Sequence, residues 1–564
     1  MPRTPSPRPP RAVVALSAAL ALVAAGTPAP RTLGAQPSPR VPVAPRPGLG
    51  PTRAAPAPYA IAYTVAMPDP ASHLYEVGLE VRGALPDTLR LVLPVWSPGR
   101  YARMEFARNV QDFAAADAAG GALPWTKLDG SVWGVVTRGA GARRTARVRY
   151  RVYANDLSGT FSVLDTAHAN WNGASLFMYV DGRKADPVTL AVAAPAGWAV
   201  VNGAQGNPGY EGGAPNSFRF PNYDELIDTP TEVAPAAALT VDTFTVDGRR
   251  YRTMVHHNGP RPEGAQARFV AQLRAVVARQ NRVIAPPPLT TYTFLFNLGY
   301  KGGDGMEHLY STQVIHPQPW SADTTRLLSG MSTASHEYFH TWNVKRIRPA
   351  ALGPFDYTQA QHQPSLWVAE GWTNYYGNLT LHRAGVRDRA AAYAALAGVL
   401  QYTSTAAGRG ERSPRQASFD APFFDGGAAP MESNAANTFV TYYVQGEVRA
   451  LALDLMIRAE TRGARSLDDV LRALRQRTWE APRESYYLPG RGYTERDVEQ
   501  AASAVLGRDL TPWFDRHVGG TAPLDWDALL RPVGLTLTRG ERWALAEDPA
   551  ATPAQVQLRE AWLR

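Results

Sequence analysis

The sequence contains no cysteine among its 564 residues. This absence excludes disulfide bonds, thiolate ligands for zinc and cysteine nucleophiles together. Any metal ion that the chain binds must therefore be held by histidine and carboxylate side chains. A chain of this length suggests two to four domains, whose apolar cores can supply stability without cross-links.

The first 56 residues lack lysine, aspartate and glutamate, although they contain seven arginines. Without this segment the chain has 51 basic and 49 acidic residues, so its net charge falls from +9 to +2. The basic character thus belongs mainly to the N-terminal extension. We therefore expect no nucleic-acid partner.

The sequence also lacks an apolar run long enough to span a membrane. The run at residues 12–26 has only 15 residues and follows the basic stretch MPRTPSPRPPR, an arrangement typical of a secretory signal. The small residues of LGAQ predict cleavage after Ala35. We therefore predict a signal peptide at 1–35, a Pro/Ala-rich linker at 36–58, and an exported protein, periplasmic or secreted, without stable membrane insertion.

Alternating apolar and polar residues predict an N-terminal β domain at residues 59–242. LYEVGLEVRG (74–83) and ARVRYRVYA (146–154) both have an apolar residue at every second position. Such alternation places one face of each strand in a core and the other in water. An antiparallel sandwich is the simplest architecture for strands of this kind.

After about residue 243 the alternation gives way to helical spacing. ARFVAQLRAVVARQNRVI (267–284) and YYVQGEVRALALDLMIRAE (442–460) predict helices, and TYTFLFNL (291–298) predicts a strand. Ser466 and Asp469 are placed as the N-cap and first-turn acid of a further helix. The fold class is therefore multidomain α+β.

Two histidines lie four residues apart in HEYFH, residues 336–340. On a helix, positions i and i+4 lie on one face, so His336 and His340 can reach one ion. Glu337 lies beside this pair, where a carboxylate can hold a metal-bound water. The pattern also occurs by chance, so two unrelated histidines on a helix are the alternative.

Glu370 is the candidate for a third ligand, because catalytic zinc usually takes three protein ligands. Apolar and aromatic residues surround it in SLWVAEGWTNYYGNL, residues 365–379. A carboxylate in so apolar a setting is expected to be paired or metal-bound, since an isolated buried charge is costly. An exposed helix acid is the alternative.

HEYFHTWNVKRIRP (336–349), followed by WVAEGWTNYYG (367–377), resembles the glycyl aminopeptidase family, a gluzincin group of zinc metallopeptidases. LPVWSPGRYARMEFARN (93–109) resembles the family's N-terminal β domain, and GDGMEHLYST (303–312) its glycine-rich substrate strand. TYYVQGEVRALALDLMIR (441–458) resembles a later helix of the family. The resemblance extends over roughly residues 59–534.

This resemblance implies an N-terminal antiparallel β-sandwich-like domain, a thermolysin-like zinc catalytic domain at 243–400 and a C-terminal helical domain at 401–521. It implies that His336, His340 and Glu370 bind one Zn²⁺ ion. It also implies that Glu337 is the general base that activates the zinc-bound water.

The resemblance assigns roles to further residues. Tyr443 is expected to donate a hydrogen bond to the developing oxyanion, with helix packing as the alternative and Tyr442 as the nearest competitor. Glu307 is expected to pair with the α-ammonium group of a peptide substrate, with a β-turn acid as the alternative. Gly305 would let the backbone approach the substrate closely, and His308 would contact the substrate or pack beneath the site.

Two groups near these motifs have open interpretations. Asn374, one turn after Glu370, is expected either to orient a ligand or to lie on the helix surface. The cations of WNVKRIRP are expected to form salt bridges that fix the returning loop, or else to bind a substrate carboxylate. These cations are Lys345, Arg346 and Arg348.

The implied activity is zinc-dependent aminopeptidase action that removes small N-terminal residues, glycine or alanine, from peptides. One alternative is a zinc metalloendopeptidase, in which Glu307 is not an ammonium anchor. Another alternative, from a different class, is a catalytically silent exported binding protein.

The family commonly continues into a C-terminal PDZ domain, which binds an extended peptide by strand addition. Residues 522–564 are too few for a whole domain of this kind. We therefore expect either that the module is missing or that a remnant packs on the catalytic part. Recruitment of partners through a PDZ groove is not expected.

Overall fold

The structure, a computed structural model, describes residues 57–138, 144–260, 262–320, 328–425, 433–483, 486 and 489–564. The predicted signal peptide and most of the predicted linker lie outside these residues. The described chain has a mixed α+β fold, with a sheet-rich N-terminal part, a mixed sheet flanked by helices, and a helical C-terminal region.

The N-terminal part consists of strands β1–β14 and one short helix, α1 (Tyr223–Ile227). The strands are β1 (Ala60–Ala66), β2 (Leu74–Gly83), β3 (Thr88–Val92), β4 (Val110–Ala116), β5 (Trp125–Lys127), β6 (Val132–Val136), β7 (Arg144–Tyr153), β8 (Ser162–Leu164), β9 (Ala169–Trp171), β10 (Tyr179–Val180), β11 (Val188–Ala193), β12 (Trp198–Asn202), β13 (Ser217–Phe220) and β14 (Thr231–Pro235).

These strands form three sheets, with the orders β13-β11-β1-β2-β7-β4, β10-β3-β6-β5 and β12-β14-β9-β8. The first two sheets pack on each other, and Phe113 of β4 stacks on Trp133 of β6 with ring centroids 5.8 Å apart. This arrangement confirms the predicted sandwich. The pairing is antiparallel except between β1 and β11, which run parallel.

The third sheet packs against the sheet of the catalytic part. Val201 of β12 forms a small buried cluster with Met254 and Leu295, which belong to the next sheet along the chain. Apolar contact of this kind removes surface from water on both sides and holds the two parts together. The N-terminal and catalytic parts therefore share a buried apolar contact.

The catalytic part contains one five-stranded sheet, β15-β16-β17-β19-β18, with three inner strands in parallel and the two outer strands antiparallel to their neighbours. Its strands are β15 (Leu239–Val246), β16 (Arg249–His257), β17 (Thr291–Leu298), β18 (Asp304–Glu307) and β19 (Ser311–His316). Its helices are α2 (Ala265–Gln280), α3 (Leu328–Phe339), α4 (Leu366–Ala369), α5 (Gly371–Arg383) and α6 (Arg389–Thr405).

Two predicted domain boundaries fall inside regular elements. The boundary at residue 242 cuts β15, which pairs with β16 along its whole length and so belongs to the catalytic sheet. The boundary at residue 400 cuts α6. Local periodicity and a family resemblance predict such boundaries only roughly, because strand pairing and helix packing decide where an element belongs.

The C-terminal region is mostly helical, and its helix α10 packs against α5 and α4 behind the candidate site. Its helices are α7 (Pro414–Phe419), α8 (Ala421–Phe424), α9 (Ala435–Thr438), α10 (Tyr442–Glu460), α11 (Leu467–Thr478), α12 (Glu495–Leu506), α13 (Thr511–His517), α14 (Trp526–Leu530) and α15 (Pro553–Leu563). Ser466 and Asp469 form a reciprocal capping box at the start of α11, as their spacing predicts.

The last segment contains a two-stranded hairpin, β20 (Leu535–Thr538) and β21 (Ala544–Glu547), and then α15. It packs on the catalytic helices, since the Trp562 indole donates to the Tyr375 hydroxyl at 2.8 Å and Arg389 pairs with Glu560 at 2.8 Å. Among the described residues, none of the helices combines the length and apolarity needed to cross a bilayer.

Candidate metal centre and active site

The three predicted metal ligands converge between α3 and the junction of α4 with α5. The Nε2 atoms of His336 and His340 are 2.9 Å apart, and Glu370 Oε2 lies 3.4 Å and 3.3 Å from them. Ligands around a tetrahedral zinc ion with bonds of about 2.0–2.1 Å are separated by roughly 3.4 Å. The geometry and the donor set, two imidazoles and one carboxylate, therefore fit a zinc ion.

The loop after α3 holds His340 in its ligand orientation. His340 Nδ1 donates to the Asn343 carbonyl at 2.6 Å, an assignment that leaves Nε2 as the lone-pair nitrogen facing Glu370. The Asn343 side chain donates to the Val368 carbonyl at 2.9 Å and lies 3.1 Å from Thr373 Oγ1. One asparagine thus ties the histidine helix to both helices that flank Glu370.

The N-terminal part supplies a further group that sequence reasoning missed. The Tyr101 hydroxyl donates to Glu370 Oε1 at 2.5 Å, so one carboxylate oxygen is fixed while Oε2 faces the histidines. Such outer partners orient metal ligands. The available signal was the stretch SPGRYARMEF, which carried part of the family resemblance without pointing to this contact.

The charges of these groups suit a cation. Burial raises the pKa of Glu370, but His340 and His336 outweigh burial and hold it well below its ordinary value. Burial lowers the pKa of His336. In His340 burial acts in the same direction, yet Glu370 raises its pKa to about 9.

Glu337 lies beside the metal ligands with its carboxylate enclosed. It is 6% exposed, and its Oε2 has no hydrogen-bond partner among the described residues. Burial raises the pKa of Glu337 well above its ordinary value. A carboxylate with a raised pKa and a free oxygen can accept a proton from water and return it.

Gly305 of the edge strand β18 lies directly against Glu337. A β-carbon at this position would lie 2.2 Å from Glu337 Oε1 and 2.5 Å from Thr333 Cγ2. Only glycine therefore lets β18 come this close to α3. The sequence predicts close approach of the Gly305 backbone to the substrate, whereas the geometry shows its close approach to the catalytic helix.

Glu307 lies at the end of β18 and is 4% exposed. One ligand atom each of Glu307, Glu337 and His340 lies within 4.8 Å of the others. Gly99, with φ +94°, packs so closely on this carboxylate that a β-carbon would lie 2.6 Å from Glu307 Oε2. Glu307 thus lies next to Glu337 and the ligand His340, and Gly99 makes room for its carboxylate.

Tyr443 and Tyr442 both lie in the first turn of α10, but only one ring faces the metal ligands closely. The Tyr443 ring centroid is 6.1 Å from that of His336. Burial and Glu370 raise the pKa of Tyr443, so its phenol keeps its proton and can donate. Tyr442 donates instead to Asp425 Oδ1 at 3.2 Å.

His308, predicted either to contact the substrate or to pack beneath the site, lies against a residue of the N-terminal part. Its Nδ1 lies 3.1 Å from Asp228 Oδ1, and Lys345 pairs with the same oxygen at 2.8 Å. His308 follows β18 directly, and successive residues of a strand point to opposite faces, so it turns away from the side of Glu307. It is thus part of a contact between the N-terminal and catalytic parts.

The two open interpretations now have structural answers. The Asn374 side chain hydrogen-bonds Glu447 rather than a metal ligand. Lys345 forms the expected salt bridge, whereas Arg346 donates to the Thr341 carbonyl at 2.7 Å and Arg348 to the Lys345 carbonyl at 3.3 Å. These cations therefore hold the loop after α3, and two of them do so through carbonyl groups.

Arg100 is another group near the site that sequence reasoning did not identify. Its guanidinium pairs with Asp304, the first residue of β18, and donates to Thr160 Oγ1 at 2.8 Å. Asp304 also accepts from the Gly159 backbone at 2.7 Å. The strand that carries Gly305 and Glu307 is thus anchored to the N-terminal part at its start.

Comparison with known proteins identifies the family. The profile of the M61 N-terminal domain matches residues 62–235, and that of the M61 glycyl aminopeptidase matches residues 329–448. Together these segments cover just over half of the chain. No curated protein sequence matches the chain.

The chain is also similar to proteins of known structure. The chain is similar to an aminopeptidase N family protein from Idiomarina loihiensis, with a TM-score of 0.74 and 27% identity over 85% of this chain and 79% of that one. It also aligns with an M1 zinc metallopeptidase from Deinococcus radiodurans, with a TM-score of 0.48 and 16% identity over 83% of this chain and 95% of that one. The two matched profiles, together with the trio of metal ligands, show that the chain belongs to the M61 glycyl aminopeptidase family and is a zinc metallopeptidase.

Proposed function

We propose that this zinc metallopeptidase is an aminopeptidase that removes a small first residue, glycine or alanine, from peptides. The observation that carries the proposal is the position of Glu307 beside Glu337 and the ligand His340, all within 4.8 Å. A second carboxylate so near the proton acceptor is suited to a cationic group of the substrate. The family's description as glycyl aminopeptidase supports the small first residue.

A zinc ion held by His336, His340 and Glu370 would polarise the scissile carbonyl and lower the pKa of water from about 15.7 towards 7. Glu337 accepts the proton of the attacking water at its free Oε2 and delivers a proton to the leaving amine. Tyr443 donates its hydroxyl proton in a hydrogen bond to the oxygen that becomes negative, an effect worth up to about 3–4 kcal/mol.

Glu307 determines that the site binds the free N-terminal end of a peptide. Its carboxylate pairs with the free α-ammonium group and so holds the first peptide bond next to Glu337. The ion pair forms in an enclosed place, where electrostatic attraction is stronger than in water. A peptide whose amine is acetylated loses this charge and leaves Glu307 buried without a partner.

The test of the chemistry is Glu337→Gln, assayed on a panel of aminoacyl-fluorophore substrates. We expect glycyl and alanyl derivatives to be cleaved by the unaltered protein, and kcat of the variant to fall by about 10³-fold with zinc content unchanged. Glu447→Gln is the matched control, since Glu447 is also a buried glutamate and Asn378 hydrogen-bonds it at 2.8 Å. Equal activity of Glu337→Gln and the unaltered protein would refute the assigned base.

The requirement for a free N-terminal amine is tested by comparing free and N-acetylated peptides of the same sequence. We expect acetylation to reduce kcat/KM by at least about 10²-fold, and Glu307→Gln to raise KM for free peptides and remove most of that discrimination. If acetylated and free peptides are cleaved equally fast by the unaltered protein, the metalloendopeptidase alternative replaces this proposal.

A further inference from the structure

A second group of ligand-type side chains lies outside the catalytic centre. His168 precedes β9, Glu232 lies in β14, and His256 lies in β16. Their exposed fractions are 1%, 0% and 2%, so all three are enclosed. The group therefore joins the third N-terminal sheet to the catalytic sheet from the inside.

The spacing of these atoms is that of ligands around one ion. Glu232 Oε1 lies 2.9 Å from His168 Nδ1 and 3.5 Å from His256 Nδ1. One ligand atom of each residue lies within 4.8 Å of the other two. The separations in the catalytic trio span 2.9–3.4 Å, so the two groups are alike in donor type and in size.

The carboxylate is oriented by an outer set of amides. Glu232 Oε2 accepts from Asn170 Nδ2 at 2.9 Å, and Asn170 Oδ1 accepts from Gln313 Nε2 at 2.8 Å. These bonds occupy one oxygen and leave Oε1 aimed at the two imidazoles. Metal-binding carboxylates are held in this way by their neighbours.

Two further polar groups border the cluster. The Tyr300 hydroxyl lies 3.0 Å from His256 Nδ1. Asn297 pairs with His256 in the strand register, is fully buried, and forms a side-chain hydrogen bond with His256. Both groups therefore contact the same imidazole.

A proton is the competing occupant. A protonated His168 would form an ion pair with Glu232, whose Oε1 lies 2.9 Å from His168 Nδ1. His256 Nδ1 lies 3.5 Å from the same oxygen, so a second imidazole also faces the carboxylate. A single proton needs only one of these imidazoles, whereas the carboxylate and both imidazoles together offer three of the four ligands that a structural zinc ion takes.

We propose that His168, Glu232 and His256 bind a second divalent transition-metal ion of the zinc type, separate from the catalytic ion. Nitrogen and carboxylate ligands suit zinc, and a site closed to solvent is typical of a structural ion rather than a catalytic one. The ion links a strand of the N-terminal part with a strand of the catalytic sheet, and so holds the two parts in register.

The experiment counts zinc ions per chain by elemental analysis of the full-length protein after dialysis, with and without the catalytic ligands. We expect two equivalents in the unaltered protein and one in the double variant His336→Ala/His340→Ala. We expect cobalt loaded into that variant to give the absorption bands of a four-coordinate nitrogen and oxygen site. One equivalent in the unaltered protein and none in the double variant would overturn the proposal.

A triple variant tests whether the remaining ion is bound by the cluster of His168, Glu232 and His256. Glu232→Gln, added to the double variant, is expected to abolish zinc binding and the zinc-dependent rise in Tm that the double variant shows. Retained zinc in this folded triple variant would overturn the assignment. The double variant leaves the cluster unchanged. Its zinc content therefore does not depend on how the Glu232→Gln protein folds. Loss of peptidase activity on every substrate, with two zinc ions bound, would contradict only the proposed function.

Discussion

At the scale of single residues, the candidate site depends on groups that fix the ligands as much as on the ligands themselves. Tyr101 holds Glu370 Oε1 at 2.5 Å, and Asn343 accepts from His340 Nδ1 at 2.6 Å through its carbonyl. These hydrogen bonds occupy Glu370 Oε1 and His340 Nδ1. They leave Glu370 Oε2 and His340 Nε2 available to the metal ion. Without these partners the carboxylate and the imidazole would rotate among several positions, and zinc affinity would fall.

The change Tyr101→Phe removes only the hydroxyl that orients Glu370. We expect the zinc dissociation constant to rise by about 10–100-fold, since that is the usual effect of losing an outer partner of a metal ligand. Competition with a chromogenic chelator measures the constant. Tyr63→Phe is the matched control, because Tyr63 is a buried tyrosine that donates to the Met178 carbonyl at 2.7 Å, outside the site. Equal zinc affinity in both variants would contradict the role of Tyr101.

At the scale of elements, the edge strand β18 and the helix α3 approach each other unusually closely. The approach brings Glu307 on the strand next to Glu337 on the helix, and glycine at position 305 permits it. Arg100 and Asp304 anchor the start of the same strand to the N-terminal part. We therefore expect the spacing between strand and helix to affect activity in addition to the identity of the catalytic groups.

The change Gly305→Ala tests that spacing. Its β-carbon would overlap Glu337 Oε1, which can rotate away, so we expect kcat/KM to fall by about 10²-fold with little change in Tm. Gly398→Ala is the control, since Gly398 lies within α6 and a β-carbon there meets no atom within 4 Å. It should raise stability by up to about 1 kcal/mol and leave activity unchanged. Full activity of Gly305→Ala would show that the close approach is unimportant.

At the scale of the whole molecule, polar contacts join the N-terminal part to the loop after α3. Asp228 follows α1 in the N-terminal part, and His308 and Lys345 of the catalytic part share its carboxylate. Burial raises the pKa of Asp228, but Lys345 and His308 outweigh burial and lower it to about 2. Because the folded pKa lies below the unfolded value of about 3.8, the contact stabilises the protein above about pH 4.

The change Asp228→Asn should therefore destabilise the protein at neutral pH. We expect a loss of about 3–5 kcal/mol at pH 7, because Lys345 is left buried without its carboxylate, and a smaller loss as the pH falls from about 4 towards 2. Urea unfolding at several pH values measures it. Adding Lys345→Met removes the uncompensated charge and should restore much of the stability at pH 7. A pH-independent difference would contradict the contribution of this ion pair.

The sequence predicts local elements of this fold well, but it does not predict features that depend on distant residues. The strand at 291–298 and the helix at 442–460 have the predicted bounds, because periodicity is a local property. The predicted domain boundaries fall inside β15 and α6, because strand pairing and helix packing are not local. The signal peptide and export stay predictions, as does the release of glycine or alanine.

The sequence by itself determined the chemistry that the chain can perform. With no cysteine, only histidine and carboxylate ligands were available, and the spacing of His336 and His340 places both on one face of a helix whatever surrounds it. The tertiary structure decided which distant groups meet them. Glu370, Tyr101 and Glu307 reach the site through loop paths and strand pairing, and His308 is turned to Asp228 by the same strand that presents Glu307. Helical periodicity acts over one or two turns, whereas these contacts depend on the packing of whole domains.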